Sequence, residues 1–94
     1  MGGLSCAVPH NAIMAGATLP VQPANAADPA YMTACATFDA KMRQVYAQPD
    51  VVAGIVDANL APLACPILAK SWWTPQDRAT LWGYLLSLWP AVGW

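Results

Sequence analysis

A chain of 94 residues forms one domain at most, and a domain of that size leaves roughly a third of its unfolded-chain surface accessible. Charged residues make up 10% of this chain and apolar residues 57%, whereas soluble domains are about 25% charged, so an isolated copy would expose apolar areas typical of protein or membrane contacts. The net charge of −1 and the absence of a Lys/Arg cluster exclude the electrostatic surface that nucleic-acid binding requires.

Residues 1–27 contain no Asp, Glu, Lys or Arg, and Pro9, Pro20 and Pro23 interrupt any helical or strand period. This composition predicts an extended Pro/Ala-rich arm that, if ordered, is held by another chain. Ala24 and Ala26, just before the first predicted helix, are spaced like a signal-peptidase site. A small secreted protein with an atypical signal segment is therefore an alternative, although no positive region precedes it.

Asp28 and Pro29 predict a helix start, because Asp accepts from free backbone N–H groups and Pro at the first helical position lacks only an N–H that would be unpaired. The helix is expected over 29–48 and to end before Pro49. Its apolar residues recur at helical spacing and form one stripe, and they are Tyr31, Cys35, Phe38, Met42 and Val45.

A second helix over 51–59 is predicted, with Asp50 as its N-cap and Asn59 in the left-handed position after its end. Val52, Ile55 and Val56 are expected to face inward. Between 61 and 71, Pro62 and Pro66 predict an irregular connection, because proline inside a helix removes a backbone hydrogen bond.

A third helix over 75–89 is indicated by the sequence Thr-Pro-Gln-Asp at 74–77, a capping box with Asp in place of the usual Glu. Leu81, Leu85 and Leu88 form its apolar ridge. The fold class is thus mainly α: a small two-to-three-helix unit over 28–94 behind the arm at 1–27. No uninterrupted apolar stretch is long enough for a spanning helix.

Catalytic, cofactor and metal sites are not predicted. His10 is the single histidine, it lies in the Pro-rich arm without an acid beside it, and glutamate is absent from the chain. Asp28, Asp50 and Asp77 are better explained as helix-start residues than as an acid–base pair. The chain also lacks the glycine-rich and nucleophile motifs of nucleotide and acyl chemistry. We therefore expect a protein that is not an enzyme.

The chain has three cysteines, Cys6, Cys35 and Cys65, and no two of them form a C-x-x-C motif. An odd number of cysteines leaves at least one thiol unpaired within a monomer. The preferred interpretation is that they are small buried apolar residues. A disulfide between Cys35 and Cys65 is the second interpretation.

The five tryptophans are the main candidates for a partner interface, because a core of this size cannot hold five indoles and tryptophan is enriched in interface hot spots. With one leucine of the last helix, the predicted interface residues are Trp72, Trp73, Trp82, Trp89, Trp94 and Leu85.

The leading functional hypothesis is a structural or interaction subunit of a larger multi-protein assembly, specifically a small phage-like virion protein, with other subunits or copies of itself as partners. The alternative is an accessory subunit of a membrane complex whose Trp-rich last helix lies at the membrane interface.

Overall fold

The computed structural model describes Ile13 and residues 18–88, and most of these residues are helical, with no strand among them. The mainly helical fold class is confirmed. The described part has more helices than the sequence predicted, because the segment after Leu60 is also helical. The helices are α1 (Pro29–Tyr46), α2 (Pro49–Asp57), α3 (Ala61–Leu68) and α4 (Pro75–Leu88).

One hydrophobic core joins the four helices. The stripe of α1 supplies its centre, where Met42 and Val45 are fully buried. The ridge of α4 packs against it as predicted. The core also takes in residues from α2, α3 and the loop before α4, and its members are Phe38, Met42, Val45, Tyr46, Val51, Ile55, Ala64, Trp73, Leu81, Leu85 and Leu88.

The start of α2 differs from the prediction. Pro49 begins this helix instead of separating two elements, and Gln48, in extended backbone geometry, is the N-cap. Asp50 therefore lies in the first turn, so its predicted capping role was wrong. Proline at the first helical position needs no hydrogen-bond partner and forces the residue before it out of helical geometry, which explains the earlier start.

The buried face of α2 is also shifted from the predicted one. Val51 and Ile55 are buried, whereas Val52 and Val56 are 46% and 58% exposed. Two adjacent apolar pairs at i, i+4 spacing lie on this helix, and the sequence pattern alone does not decide which pair faces the core. The inward direction predicted for Val52 and Val56 was wrong.

The end of α2 follows the prediction for Asn59, which has a φ of 60°. The backbone N–H of Asn59 donates to the carbonyl of Val56 at 3.1 Å, and that of Leu60 donates to the carbonyl of Ile55 at 2.8 Å. These paired bonds form a Schellman motif, which satisfies carbonyls that the helix end leaves without partners. The motif turns the chain directly into α3.

The irregular connection predicted for 61–71 was wrong over its first part, because Ala61–Leu68 is helical. Pro62 lies in the first turn, where a missing N–H has no consequence. Pro66 lies inside the helix, where it removes the bond that its own N–H would have made and its ring crowds the carbonyl of residue 62. Ala64 is fully buried in the core, so tertiary packing compensates for the lost bond.

The start of α4 confirms the capping box. The N–H of Asp77 donates to Thr74 Oγ1 at 3.1 Å, and the N–H of Thr74 donates to Asp77 Oδ2 at 3.0 Å. Lys70 Nζ lies 2.9 Å from the same Asp77 oxygen. Hydrogen bonds from Thr74 first, and from Lys70 second, lower the pKa of Asp77 below its usual range.

In the predicted arm, Ile13 is helical, whereas residues 18–27 have no helix or strand and end in a turn, where the N–H of Asp28 donates to the carbonyl of Asn25 at 3.1 Å. Asp28 then caps α1 as predicted, since its Oδ1 accepts from the N–H of Ala30 at 3.0 Å. Ile13 and Leu19 pack against the core of their own chain. The other arm residues, and the predicted end of the last helix at Trp89, lie outside the described residues.

The capping box should make stability depend on acid. Because the folded-state pKa of Asp77 is lowered, its contribution is complete above the ordinary pKa of the group and is lost as the pH falls through the lower folded-state pKa. Thr74→Ala should lower the free energy of unfolding by about 1 kcal/mol at neutral pH, whereas Thr74→Ser, which keeps the hydroxyl, should change little. Urea unfolding at several pH values measures both effects. An Asp77→Asn variant with the same acid dependence as the wild type would contradict this account.

Candidate partner-binding surface

The carboxyl end of α3 is held by Arg43 of α1. The Arg43 guanidinium donates to the carbonyls of Leu68 at 3.3 Å and Lys70 at 3.0 Å. Its central carbon also lies 4.1 Å from the centre of the Trp73 ring. Cations are favoured near helix carboxyl ends, and guanidinium groups stack on indole faces, so both interactions stabilise this loop.

Trp73 lies inside the fold, with 3% of its surface exposed. Its Nε1 donates to the carbonyl of Ile67 at 2.8 Å, which pairs the polar atom of a buried indole. Trp73 was predicted as an interface residue, but the structure commits it to the core. With Arg43 it fixes the position of the loop between α3 and α4.

Trp72 precedes this anchored residue and is 66% exposed. Its neighbours in the chain are Trp73, which is buried, and Ser71, which is exposed. The backbone that carries the Trp72 indole is therefore fixed on one side by the bonds of Trp73. Trp72 is the predicted interface residue that the structure leaves most accessible among those it describes.

The outward face of α3 is apolar. This helix contains no charged residue, and Pro62, Leu63, Cys65 and Pro66 are all exposed. A helix that is apolar around its whole circumference is normally buried. We call the exposed side of α3 together with Trp72 the α3 surface, and it is our candidate binding surface.

The remaining predicted interface residues have different positions. Leu85 is fully buried in the core, so the structure does not support its predicted contact with a partner. Trp82 is half-buried, and its ring centre lies 5.7 Å from that of Phe38. Trp89 and Trp94 lie outside the described residues.

Several exposed apolar residues were not predicted as interface candidates. Leu63 lies in the segment that was predicted to be an irregular connection, and Val56 was predicted to face inward. The sequence signal that could have found them is the shortage of polar residues on α2 and α3, which leaves too few polar side chains for the outer faces. The large apolar residues that the structure exposes are Val21, Met32, Val52, Val56, Leu63, Trp72 and Leu86.

The polar contacts between α1 and α4 serve the fold. Arg78 Nε and Nη2 donate to the two carboxylate oxygens of Asp39 at 2.8 and 3.0 Å, and this pairing raises the pKa of Arg78. The Tyr46 hydroxyl donates to the carbonyl of Leu81 at 2.6 Å, and burial raises the pKa of Tyr46. Within α1 itself, a hydrogen bond with Cys35 is the main cause of the raised pKa of Tyr31.

Cys35 and Cys65 are free thiols in the structure, so it does not contain the disulfide that was the second interpretation. Cys35 is buried in α1, as the preferred interpretation predicted, but Cys65 is exposed on α3. Cys6 and His10 lie outside the described residues. Within the described residues, no three His, Cys, Asp or Glu side chains are grouped in a way that could hold a metal ion.

In the part of the chain that the structure describes, every helix is too short or too polar to cross a membrane. Comparisons of the chain with protein-family models, with curated proteins and with solved structures give no match. We therefore infer a function from the surface of the chain and its geometry.

Arg43→Lys should lower the free energy of unfolding by about 2 kcal/mol, because lysine cannot donate to both carbonyls while stacking on Trp73. The measurement is urea unfolding followed by tryptophan fluorescence, with an unchanged slope against urea concentration. Gln44→Ala, an exposed change on the same helix, is the matched control and should shift stability by less than about 0.5 kcal/mol. Equal stability of Arg43→Lys and wild type would remove Arg43 from this role.

Gly83 on the outer side of α4 should be replaceable, because an added Cβ would meet no atom within 4 Å. Gly83→Ala is expected to raise the free energy of unfolding by about 0.5–1 kcal/mol through helix propensity. Thermal unfolding monitored by circular dichroism measures the gain. A loss of stability would mean that the fold itself requires this glycine.

Proposed function

We propose that this protein is a non-enzymatic interaction subunit of a larger multi-protein assembly and that the α3 surface contacts its partner. The observation that carries this proposal is the indole of Trp72, which is 66% exposed beside a neighbour that is hydrogen-bonded and buried. Tryptophan is among the residues most enriched in interface hot spots.

The rigidity of the loop supports this role. A side chain that is ordered only on binding costs about 0.5–1.5 kcal/mol, and a fixed backbone lowers the further cost of ordering the loop. Trp73 and Arg43 hold the backbone next to Trp72 before any partner arrives. Trp72 can therefore present a large apolar area with little loss of backbone freedom.

The composition of α3 supports the same conclusion from a second direction. Leu63 is 53% exposed, and the exposed proline and cysteine side chains beside it in the sequence offer no charge to water. Burying such a surface against a partner contributes a hydrophobic term of roughly 25 cal/mol for each Å² of apolar area removed from water, which offsets part of the entropy lost on association.

Our narrower hypothesis within this class is a small virion structural protein present in many copies. It depends on the predicted arm at 1–27, most of which lies outside the described residues. The membrane-accessory alternative places the Trp-rich last helix at a lipid interface, where tryptophan is also enriched, and the exposed Trp72 just before that helix would lie there with it. One set of variants distinguishes these hypotheses.

The first test compares wild type with Trp72→Ala in extracts of the source cells or particles, by size-exclusion chromatography under reducing conditions that keep Cys65 from cross-linking. We expect the wild type to elute in a complex much larger than 9.9 kDa and Trp72→Ala to move toward the monomer position. Gln76→Ala, an exposed change near the start of α4, is the control. Monomeric elution of the wild type would contradict the proposal.

Liposome flotation of the purified protein tests the membrane alternative. We expect the wild type to stay in the soluble fraction. Flotation that Trp72→Ala abolishes, without a large complex in extracts, would favour a membrane accessory role.

A further inference from the structure

The predicted arm is fixed to the helical body by apolar contacts within its own chain. Ile13 and Leu19 are partly buried, and both pack against the hydrophobic core. We call these two residues the arm anchors. The structure therefore shows which side chains occupy these positions on the core, and both come from the segment that precedes α1.

The chain between the arm anchors and α1 is not bound to the body by polar contacts. In the described part of the chain, residues 20–24 take part in no hydrogen bond or ion pair. Val21 is 87% exposed, and Pro20 and Pro23 have no N–H to donate. A proline-rich segment of this kind is an extended spacer, so we assign the attachment of the described arm residues to the arm anchors.

One turn sets the direction in which this spacer joins α1. The carbonyl of Asn25 accepts from the N–H of Asp28 at 3.1 Å, and Asn25 Oδ1 accepts from the N–H of Ala27 at 3.1 Å. Residues 24–27 are exposed, so water can replace both bonds when the turn opens. The bond by which Asp28 caps α1 lies on the far side of the turn and is kept. The turn is therefore suited to act as a hinge that redirects the arm while α1 stays intact.

A second copy of the chain offers the arm anchors the same positions. If Ile13 and Leu19 leave their own core and enter that of an identical neighbour, each apolar contact that is lost is formed again. The choice between the two cores then depends on concentration, because a short linker holds the anchors near their own core at an effective concentration in the millimolar range. Copies held side by side in an assembly reach similar local concentrations. A foreign side chain would have to displace anchors that already fit, so a second copy is the favoured occupant.

We propose that copies of this chain exchange arms, so that Ile13 and Leu19 of one copy pack against the core of a neighbour in the positions that they occupy in their own chain. The core of each copy is then completed by two residues of another copy. This inference rests on the proposed function, because an assembly supplies the proximity that exchange requires, and it deepens that function by naming a second copy as one partner. The arm anchors are not part of the α3 surface, so the two surfaces are tested separately.

The first experiment mixes two full-length samples that both carry Trp72→Ala, so that the α3 surface does not contribute. One sample is ¹⁵N-labelled. The other is unlabelled and carries a nitroxide at Thr18→Cys, an exposed position next to Leu19, with Cys6 and Cys65 changed to serine and the buried Cys35 kept. At millimolar concentration we expect the nitroxide to broaden, in the ¹⁵N-labelled chain, the same amide signals that it broadens within its own chain in a dilute ¹⁵N-labelled sample.

Two variants of the nitroxide-bearing chain show whether the arm anchors cause this broadening. Leu19→Asp places a charge on an anchor and should abolish the intermolecular broadening. Val21→Asp is the matched control, because it adds the same charge two residues away on a side chain that already faces water. It should leave the broadening unchanged.

The second experiment shortens the spacer, again in the Trp72→Ala background. Removal of residues 21–24 shortens the reach of the arm by about 12 Å, at roughly 3.1 Å for each extended residue, so the anchors should no longer reach their own core. Sedimentation equilibrium should then show a dimer whose Kd is at least about tenfold lower than that of the chain with the full spacer. Adding Leu19→Asp to the shortened chain should restore the monomer.

Four results would overturn arm exchange. They are no intermolecular broadening at millimolar concentration, an intermolecular pattern that differs from the intramolecular one, equal effects of Leu19→Asp and Val21→Asp, and a shortened chain that stays monomeric. Because every sample in these experiments carries Trp72→Ala, none of these results depends on the α3 surface. If they occur while Trp72→Ala still releases the protein from large complexes in extracts, only this inference is lost and the proposed function stands.

Discussion

The fold depends most on how the carboxyl end of α3 is satisfied. This short helix contains an internal proline and no basic residue in its last turn, so it would be marginal in isolation. The N–H groups of Ala69 and Lys70 bind the carbonyls of Cys65 and Ile67. Arg43 and Trp73 add donors from elsewhere in the chain to the carbonyls of residues 67, 68 and 70. Because Trp73 is buried at the start of the segment that leads into α4, the same contacts that complete α3 also set the position of the last helix against the core.

Two neighbouring tryptophans have different structural roles because one of them, Trp73, completes the end of α3. Trp73 uses its ring face for Arg43 and its N–H for a backbone carbonyl, and it is almost fully buried. Trp72 is the next residue along the same rigid backbone and remains exposed. The contacts of Trp73 therefore fix the backbone beside Trp72, whose indole is left exposed. That coupling is the reason we assign Trp72, and not the tryptophans as a group, to the partner surface.

The sequence predicted structural features that depend on neighbouring residues better than features that depend on residues distant in the chain. The caps at Asp28 and Thr74 were predicted because donor and acceptor lie within three residues of each other in the chain. The helix α3 was missed because Pro62 and Pro66 predicted an irregular connection, and because Arg43, which stabilises the helix end, is 25 residues away from the carbonyl of Leu68. The same limit applies to the site: no local pattern says which of two adjacent tryptophans is buried, and the distinction comes from contacts with Ile67 and Arg43.

The internal use of charge explains why the surface is so apolar. The chain has four basic residues. Arg43 binds carbonyls at a helix end, and Lys70 and Arg78 form ion pairs with carboxylates of the same chain. Few positive charges are therefore available to make the exterior polar. If these pairs were broken so that the basic side chains faced water, part-buried carboxylates such as Asp39 would lose their partners. That loss costs more free energy than leaving an apolar side chain exposed. Keeping the internal pairs therefore has the lower free energy, and the apolar side chains of α3 remain at the surface of the isolated chain. An exposed apolar area of this kind is what our proposal of a partner surface rests on.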